Sequence, residues 1–382
     1  MLVSLIGTWI QQIAQSWLIF QITNSSFLLG VVGFLSTIPV FVLSLFGGVL
    51  ADRLNKKNIL IFTQVAFMIL AFILAIFTQM KLITANQIMI IAVLNGIVMA
   101  FDAPARQAVV VELVGKTHLP NAIALNSVAF NSSRVIGPAI AAIFVSTIGM
   151  SGCFYINGIS FLAVILALVF ININRNPVKP GNQGPLNDLI EGLKFVKDNR
   201  LILGLISIVA VVSLFGVAHI ILMPVFANDI LKVGVKGLGL LMSSVGLGAL
   251  IGALVLARLG DFNYKGKFLV VSSFIFAIAL IFFAISKNYL FSLVSLFFVG
   301  ASSVAAVALI NTILQTNIED RFRGRVMSLF MITFAGMMPF GNLIAGLLAS
   351  RFGASFAVMI GGYICALFFV IVNLVYPKIR QI

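Results

Sequence analysis

The sequence predicts an all-α membrane protein of twelve transmembrane helices, arranged as two pseudo-symmetric halves of six helices each. The first observation is composition, since 61% of the 382 residues are hydrophobic and only 9% are charged, with a mean hydropathy of +1.18. A water-soluble domain carries about 25% charged residues. The other two observations are the number of long apolar runs and a glycine pattern that repeats between the two halves.

Twelve apolar runs are each long enough, at about 20 residues, to cross roughly 30 Å of hydrocarbon. Helices are expected because lipid offers no partner for unpaired backbone groups. The runs of the first half lie near residues 1 to 22, 28 to 51, 59 to 80, 84 to 101, 126 to 148 and 153 to 173. Those of the second half lie near residues 201 to 226, 237 to 257, 268 to 286, 289 to 313, 326 to 350 and 354 to 376. The predicted domains are therefore residues 1–173, a cytoplasmic linker at 174–200, and residues 201–382.

A shift of 204 residues superposes seven glycines of the first half on seven of the second, where random placement gives about one coincidence. The pairs are Gly30 with Gly234, Gly33 with Gly237, Gly48 with Gly252, Gly96 with Gly300, Gly137 with Gly341, Gly149 with Gly353 and Gly158 with Gly362. The pattern indicates a duplicated six-helix unit, and parallel six-helix halves are an architecture of membrane transporters.

The basic residues divide unequally, eighteen against five, between the two sides of the predicted bundle. The richer side contains Arg53, Lys56, Lys57, Arg106, Lys116, Arg175, Lys179, Lys194, Lys197, Arg200, Arg258, Lys265, Lys267, Arg321, Arg323, Arg325, Lys378 and Arg380. The other side contains Lys81, Lys232, Lys236, Lys287 and Arg351. Because basic residues stay in the cytoplasm, both termini are expected there and the protein in the inner membrane. The net charge of +14 then reflects topology, and no nucleic-acid partner is expected.

The linker and the amino terminus each carry a further prediction. Apolar side chains recur at helical spacing at Leu186, Leu189, Ile190, Leu193 and Val196, while Asp188, Glu191, Lys194 and Lys197 occupy the other side. Such an amphipathic helix is expected to lie flat on the membrane, as a simple connector or with a regulatory role. The first run begins at Met1 with no basic flank, which predicts either an upstream extension or the loss of one.

Residues Gly48-Val49-Leu50-Ala51-Asp52-Arg53-Leu54-Asn55-Lys56-Lys57 form a cationic turn between the second and third runs. The turn resembles the signature Gly-x-Leu-Ala-Asp-Arg-x-Gly-Arg-Lys of the major facilitator superfamily, with Asn55 and Lys56 at two of its positions. The segments Phe101–Gln107, Leu119–Asn126 and Arg134–Pro138 are similar to the bacterial branch of enterobactin-type siderophore exporters and macrolide efflux proteins. The resemblance covers essentially the whole chain and implies the major facilitator fold and a secondary transporter.

By this resemblance, the turn and the end of the fourth helix form a cytoplasmic gate. Its residues are Gly48, Asp52, Arg53, Lys56, Lys57, Asp102 and Arg106. Asp52 is expected to accept hydrogen bonds from a neighbouring helix amino terminus, which the resemblance identifies as that of helix eleven. Arg53, Lys56 and Lys57 are expected to pair with Asp102. The alternative is that these charges serve membrane topology alone.

Arg134 is the only formal charge well inside a predicted span, and an ion placed there normally faces a polar cavity or a partner. Binding of an anionic substrate and a structural ion pair, for example with Asp102, are both open. The segment Gly137-Pro138-Ala139-Ile140-Ala141-Ala142 resembles the antiporter signature Gly-Pro-x-x-Gly-Gly. Gly137 is expected to allow close helix packing, and Pro138 to bend the helix and release a backbone carbonyl.

Polar residues on the helices that line the cavity in this superfamily are candidates for substrate binding or coupling. They are Gln11, Gln15, Asn95, His219 and Asn311, and hydrogen bonds between helices are the alternative for each. Since no carboxylate lies deep in a span, the candidates for proton coupling are Asp102 and His219. No His and acidic residues cluster as metal ligands, so no enzymatic activity, metal or cofactor is expected.

The expected function is gradient-driven export of an amphipathic small molecule, siderophore-like or drug-like, by alternating access with proton coupling. Its partners would be the substrate, the lipid bilayer and protons, and the protein is expected to act as a monomer. An uptake permease of the same fold and a transport-inactive scaffold or secretion effector are the alternatives. Counterflow of candidate substrates distinguishes them.

Overall fold

The computed structural model describes residues 2–171, 185–217, 219–260 and 262–381, and every regular element in these ranges is helical. Eleven helices of this part of the chain are long and apolar enough to cross a membrane, and a twelfth long helix, Leu2–Thr23, precedes them. The predicted all-α fold is therefore confirmed. The description leaves out the helical side chains of Leu45, Val49, Ala51, Asp52, Arg53, Val111, Lys116, Pro120, residues 185–190, Asp320 and Gln381.

Unit 1 consists of Met1–Pro180 together with Val233–Ser243. Its helices are α1 (Leu2–Thr23), α2 (Ser26–Arg53), α3 (Lys56–Gln79), α4 (Ala85–Gly115), α5 (Thr117–Thr147) and α6 (Gly149–Phe170). Polar caps fix where several of them begin. The Ser25 side chain accepts a hydrogen bond from the Leu28 N–H at the start of α2. Thr84 and Gln87 form a capping box at the start of α4. Each of these two helices therefore begins at a residue whose side chain satisfies an otherwise unpaired N–H group.

α4 and α5 form one helical stretch, Ala85–Thr147, broken at Gly115, whose backbone has φ 65° and ψ 175°. Glycine reaches this conformation at little cost because it has no β-carbon. Both helices are longer than predicted, since residues 102 to 125 were expected to connect them. The prediction was based on apolar runs, and this segment is too polar to count as one. It nevertheless contains alanine, leucine and glutamate, which have high helix propensity in water as well as in lipid.

Unit 2 consists of Gly181–Lys232 and Ser244–Ile382. Its elements are α7 (Pro185–Asp198), α8 (Arg200–Ile230), the second part of α9 (Gly234–Leu259), α10 (Lys265–Ile285), α11 (Tyr289–Asn317), α12 (Asp320–Phe352), α13 (Ala354–Val375) and a 3-10 turn at Pro377–Gln381. α8 contains two π-helical segments, Val212–Gly216 and Phe226–Ile230. Segments of this kind often mark functional sites.

The first part of α9 packs inside unit 1. Ser243 Oγ donates a hydrogen bond to the carbonyl oxygen of Val135 in α5 at 2.9 Å. A β-carbon at Gly239 would lie 2.5 Å from the carbonyl oxygen of Pro138, so only a glycine lets α9 approach α5 at this point. The structural division therefore falls within α9, and the domain limits at residues 173 and 201 stay a prediction.

Glycines let pairs of helices approach backbone to backbone in each unit. In unit 2, a β-carbon at Gly300 of α11 would lie 2.0 Å from the carbonyl oxygen of Val245 in α9. In unit 1, the repeat-related Gly96 of α4 would place one 2.6 Å from the carbonyl oxygen of Ser36 in α2. Both distances are shorter than any real contact of a β-carbon. Equivalent helices of the two halves thus pack by the same means, in agreement with the duplication.

Candidate functional site

The carboxylate of Asp102 in α4 is enclosed, with 1% of the residue exposed. Its Oδ1 accepts hydrogen bonds from Thr63 Oγ1 and Gln64 Nε2 of α3, each at 2.8 Å. Its Oδ2 accepts from Arg106 Nε at 3.0 Å and from Arg106 Nη2 at 2.6 Å. Four donors therefore hold the ionised carboxylate and fasten α3 to α4, as a buried charge requires.

Lys56, at the start of α3, is buried and forms an ion pair with Glu112 of α4, not with Asp102 as expected. Glu112 was not among the predicted gate residues, because the apolar run of the fourth helix ends near residue 101. The signal was present in the spacing. Ala105 and Val109 belong to the buried cluster between α4 and α3, and Glu112 follows them at the i+7 position of the same helix face.

Lys57 binds the carboxyl end of α6. Its Nζ donates to the carbonyl oxygens of Val169 at 2.9 Å and Ile171 at 2.8 Å, where a cation offsets the negative end of the helix dipole. The expected pairing of Lys57 with Asp102 is likewise not formed. Arg106 holds that carboxylate instead, because it lies one turn further along the same helix and reaches it without any long-range ordering.

The remaining residues of the predicted gate are Asp52, Arg53 and Gly48. The side chains of Asp52 and Arg53 lie outside the part of the chain that the structure describes, so the roles predicted for them stay predictions. Gly48 has no atom within 4 Å of the position of a β-carbon. The close approach falls on Gly47, where a β-carbon would lie 2.2 Å from the carbonyl oxygen of Ala100 in α4. Two adjacent glycines give no sequence signal of which one faces the neighbouring helix.

Arg134 is half-buried in α5. Among the residues that the structure describes, none forms a hydrogen bond or ion pair with its guanidinium group. The structural alternative, an ion pair with Asp102, is not found, since that carboxylate is held by α3 and Arg106. A guanidinium that lies in a membrane-spanning helix without an acidic partner is a candidate to bind an anion, to which it can donate two parallel hydrogen bonds.

The face of α5 that carries Arg134 packs on α1. Phe130, Arg134 and Gly137 share this face because they are spaced at i, i+4 and i+7. The rings of Phe130 and Trp9 meet edge to face, with their centroids 6.4 Å apart, and a β-carbon at Gly137 would lie 2.4 Å from the Trp9 Cβ. Along α5, Arg134 therefore lies between two contacts with Trp9. Pro138 has no N–H, so the carbonyl oxygen of Arg134 also loses its usual i+4 donor.

Two of the other polar candidates are buried against neighbouring protein groups. Gln11 lies where α1 meets α6, and its Oε1 accepts a hydrogen bond from Asn157 Nδ2 at 2.7 Å. His219 lies in α8, and its Nδ1 is 2.7 Å from the carbonyl oxygen of Gly216. For Gln11 this geometry favours the alternative of a hydrogen bond between helices.

The last three candidates are partly exposed. Gln15 and Asn95, both in unit 1, are half-buried, and neither side chain forms a hydrogen bond with another described residue. Asn311 Oδ1 accepts from Gln315 Nε2 at 2.5 Å, one turn further along α11. Gln15 and Asn95 therefore keep amide groups that can bind a ligand, and a contact of any of the three with substrate stays a prediction.

Replacing Asp102 with asparagine is expected to destabilise the folded protein, because Arg106 loses the carboxylate that neutralises it. Removing one partner of a buried ion pair costs about 3 to 5 kcal/mol, and the lower end applies because 27% of the Arg106 side chain is exposed. The melting temperature of the purified variant in detergent measures the loss. Adding Arg106→Gln should recover part of it, and an unchanged melting temperature in Asp102→Asn would show that this network contributes little stability.

Known proteins resemble the chain over its whole length. A family model described as transmembrane secretion effector matches residues 1–382. The staphyloferrin A transporter of Staphylococcus aureus is 28% identical over 365 residues, which cover 94% of this chain and 91% of that protein. Macrolide efflux protein A of Streptococcus pyogenes is 24% identical over 390 residues, which cover 100% of this chain and 94% of that protein. The resemblance to the branch of enterobactin exporters and macrolide efflux proteins is confirmed.

Solved structures share the fold. A bacterial homologue of the human lysosomal transporter Spinster, in an inward-facing and unoccupied conformation, superposes with a TM-score of 0.77 at 14% identity, covering 99% of this chain and 96% of that one. At an identity this low, the superposition shows a shared fold and does not indicate the ligand. The predicted major facilitator fold is thereby confirmed.

Proposed function

Because the chain belongs to the family of transmembrane secretion effectors, within the major facilitator superfamily, we propose that it exports an amphipathic, anionic small molecule. Membership in this family makes it a multi-pass membrane transporter and not an enzyme. The outward direction is supported by relatives named for efflux and export. Transport would proceed by alternating access, driven by an ion gradient across the inner membrane.

The observation that carries the proposal is Arg134. A guanidinium costs several kcal/mol to hold in a membrane-spanning helix unless a counter-charge or water reaches it, and no described residue supplies that charge. An anionic group of the substrate would supply it. Trp9 and Phe130, which meet beside Arg134, offer apolar ring surface to the remainder of an amphipathic molecule.

Protons are the proposed coupling ion, and Asp102 and His219 are the two candidate carriers. Both oxygens of Asp102 already accept hydrogen bonds, two of them from Arg106. His219 has its Nδ1 directed at the carbonyl oxygen of Gly216, which assigns the neutral ring a proton at Nδ1. Histidine is the residue type that most often changes charge near neutral pH, and we therefore propose His219 as the carrier.

Proteoliposomes test the function and the coupling together. Vesicles containing the purified protein would be offered radiolabelled staphyloferrin A, enterobactin or a macrolide, with the lumen made either acidic or alkaline relative to the outside. A proton antiporter accumulates its substrate in acidic vesicles, because protons leave the lumen as substrate enters. We expect this result for at least one anionic compound.

The alternatives give different results in the same vesicles. A symporter of the uptake type accumulates substrate only when the outside is acidic. A uniporter shows counterflow that does not respond to either gradient. A transport-inactive scaffold shows neither accumulation nor counterflow, although it inserts and remains folded.

A further inference from the structure

The linker helix α7 is fastened to the start of α12. The rings of Phe195 and Phe322 are stacked, with centroids 4.3 Å apart and planes 12° from parallel. Glu191 Oε2 lies 2.7 Å from Arg325 Nη1, and Val196 is 5% exposed. One face of α7 is therefore occupied by protein, and the orientation of its opposite face is fixed.

The opposite face presents Leu193, Lys194 and Lys197. Leu193 is 52% exposed, and both lysines are exposed. The sequence predicted Leu193 and Val196 on one apolar stripe. In the structure they separate, because α12 receives the side of α7 that carries Phe195 and Val196. An exposed leucine beside two lysines is the pattern of a helix that rests in the membrane interface.

α7 directly precedes a membrane-spanning helix. α7 ends at Asp198, and the membrane-spanning α8 begins at Arg200. Asn199 joins them, since its side chain accepts hydrogen bonds from the N–H groups of Leu201 at 3.2 Å and Ile202 at 3.3 Å. Lys194 and Lys197 thus lie within two helical turns of the start of α8.

The charge around this face is positive. Arg200, which begins α8, is also exposed and adds to the two lysines. Of the two described acidic side chains of α7, Glu191 is paired with Arg325, and Asp198 is exposed. Basic groups that adjoin a membrane-spanning helix on the cytoplasmic side attract anionic lipids, and the distribution of basic residues assigns this end of α8 to the cytoplasm.

We propose that the outer face of α7 binds the headgroup of an anionic phospholipid of the inner leaflet. Lys194, Lys197 and Arg200 would contact the phosphate and its neighbours, while Leu193 enters the boundary between headgroups and acyl chains. A lipid explains the exposed leucine, which gains from apolar surroundings and would contribute nothing to binding a free phosphate. The site does not depend on the direction or substrate of transport.

Fluorescence quenching by lipid tests the site directly. The variant Leu193→Trp would be reconstituted with phosphatidylglycerol or phosphatidylcholine carrying bromine near the headgroup, each at the same mole fraction, and the signal of the unaltered chain would be subtracted. We expect brominated phosphatidylglycerol to quench more strongly. Adding Lys194→Gln and Lys197→Gln should weaken that preference by about fivefold for each lysine removed.

The matched control removes two lysines from the other side of the membrane, by Lys232→Gln and Lys236→Gln, and should leave the preference unchanged. Inorganic phosphate added at constant ionic strength should also have no effect. The proposal is overturned if both lipids quench equally, if neither quenches, or if free phosphate removes the preference. The melting temperature of each variant would show that it is folded, so a loss of transport would not affect the interpretation.

Discussion

Replacing Arg134 with alanine is expected to weaken substrate binding about 10- to 150-fold while leaving the protein folded. A hydrogen bond to a charged group contributes about 1.5 to 3 kcal/mol, which corresponds to this range. Stability should be retained because no described residue is paired with the guanidinium group, so its removal leaves no carboxylate stranded in the membrane. Arg134→Lys should keep part of the affinity, since it retains the charge and loses the planar, two-pronged geometry.

Equilibrium binding in detergent and the melting temperature of each variant separate the two roles of Arg134. Ser133→Ala is the matched control, because the Ser133 hydroxyl is buried and, among the described residues, bonds only to the carbonyl oxygens of Ala129 and Phe130 in its own helix. It should leave binding unchanged. If folded Arg134→Ala binds substrate as tightly as the wild type, the substrate role is wrong. If it melts at a much lower temperature with or without substrate, Arg134 is a structural ion.

Replacing Gly300 with valine is expected to prevent α9 and α11 from packing and to reduce sharply the yield of folded protein. The new β-carbon would meet the carbonyl oxygen of Val245 at 2.0 Å, and a backbone atom cannot move aside as the end of a side chain can. Overpacking a core typically lowers the free energy of unfolding by about 1 to 3 kcal/mol. We expect a clash with backbone to lower it by about 3 kcal/mol or more. Size-exclusion chromatography of the detergent extract, together with melting temperature, measures the effect.

Gly324→Val supplies the comparison for this prediction. Gly324 also lies within a helix, and no atom is found within 4 Å of the position of its β-carbon. The same change of side chain should therefore be nearly neutral, because valine has a somewhat better helix propensity than glycine. The repeat-related Gly96→Val should resemble Gly300→Val. Equal behaviour of the Gly300 and Gly324 variants would show that the helices tolerate separation.

The sequence predicted the helices well because each depends on a local property. Hydropathy identifies a span wherever about 20 consecutive residues face lipid. The repeated glycines indicated the duplication, and at Gly96 and Gly300 close backbone contact leaves no room for another residue type. The extension of α4 past residue 101 was missed for the same reason. Outside the hydrocarbon, apolar content no longer reports where a helix ends, and Glu112 lies in that extension.

The partners of the charged residues were harder to predict. The sequence places Lys56, Lys57 and Arg106 equally near the ends of α3 and α4, and any of them can reach a carboxylate in principle. The choice depends on the rotation of α3 about its axis, which turns Thr63 and Gln64 toward Asp102. Packing between helices sets that rotation, so a hydropathy profile cannot predict it. Arg134 was easier, because a lone charge within an apolar run is visible without knowing its neighbours.

The glycine contacts between α9 and α11 restrict how related transporters can be recombined. A chimaera whose crossover falls between these helices takes α9 from one parent and α11 from the other. If the two helices then pack one residue out of register, a side chain lies where only the hydrogen atom of a glycine fits. Crossovers that keep α9 and α11 from one parent avoid the clash, and the same holds for α2 with α4. Genetic exchange within this family is therefore expected to keep the helices of each pair together.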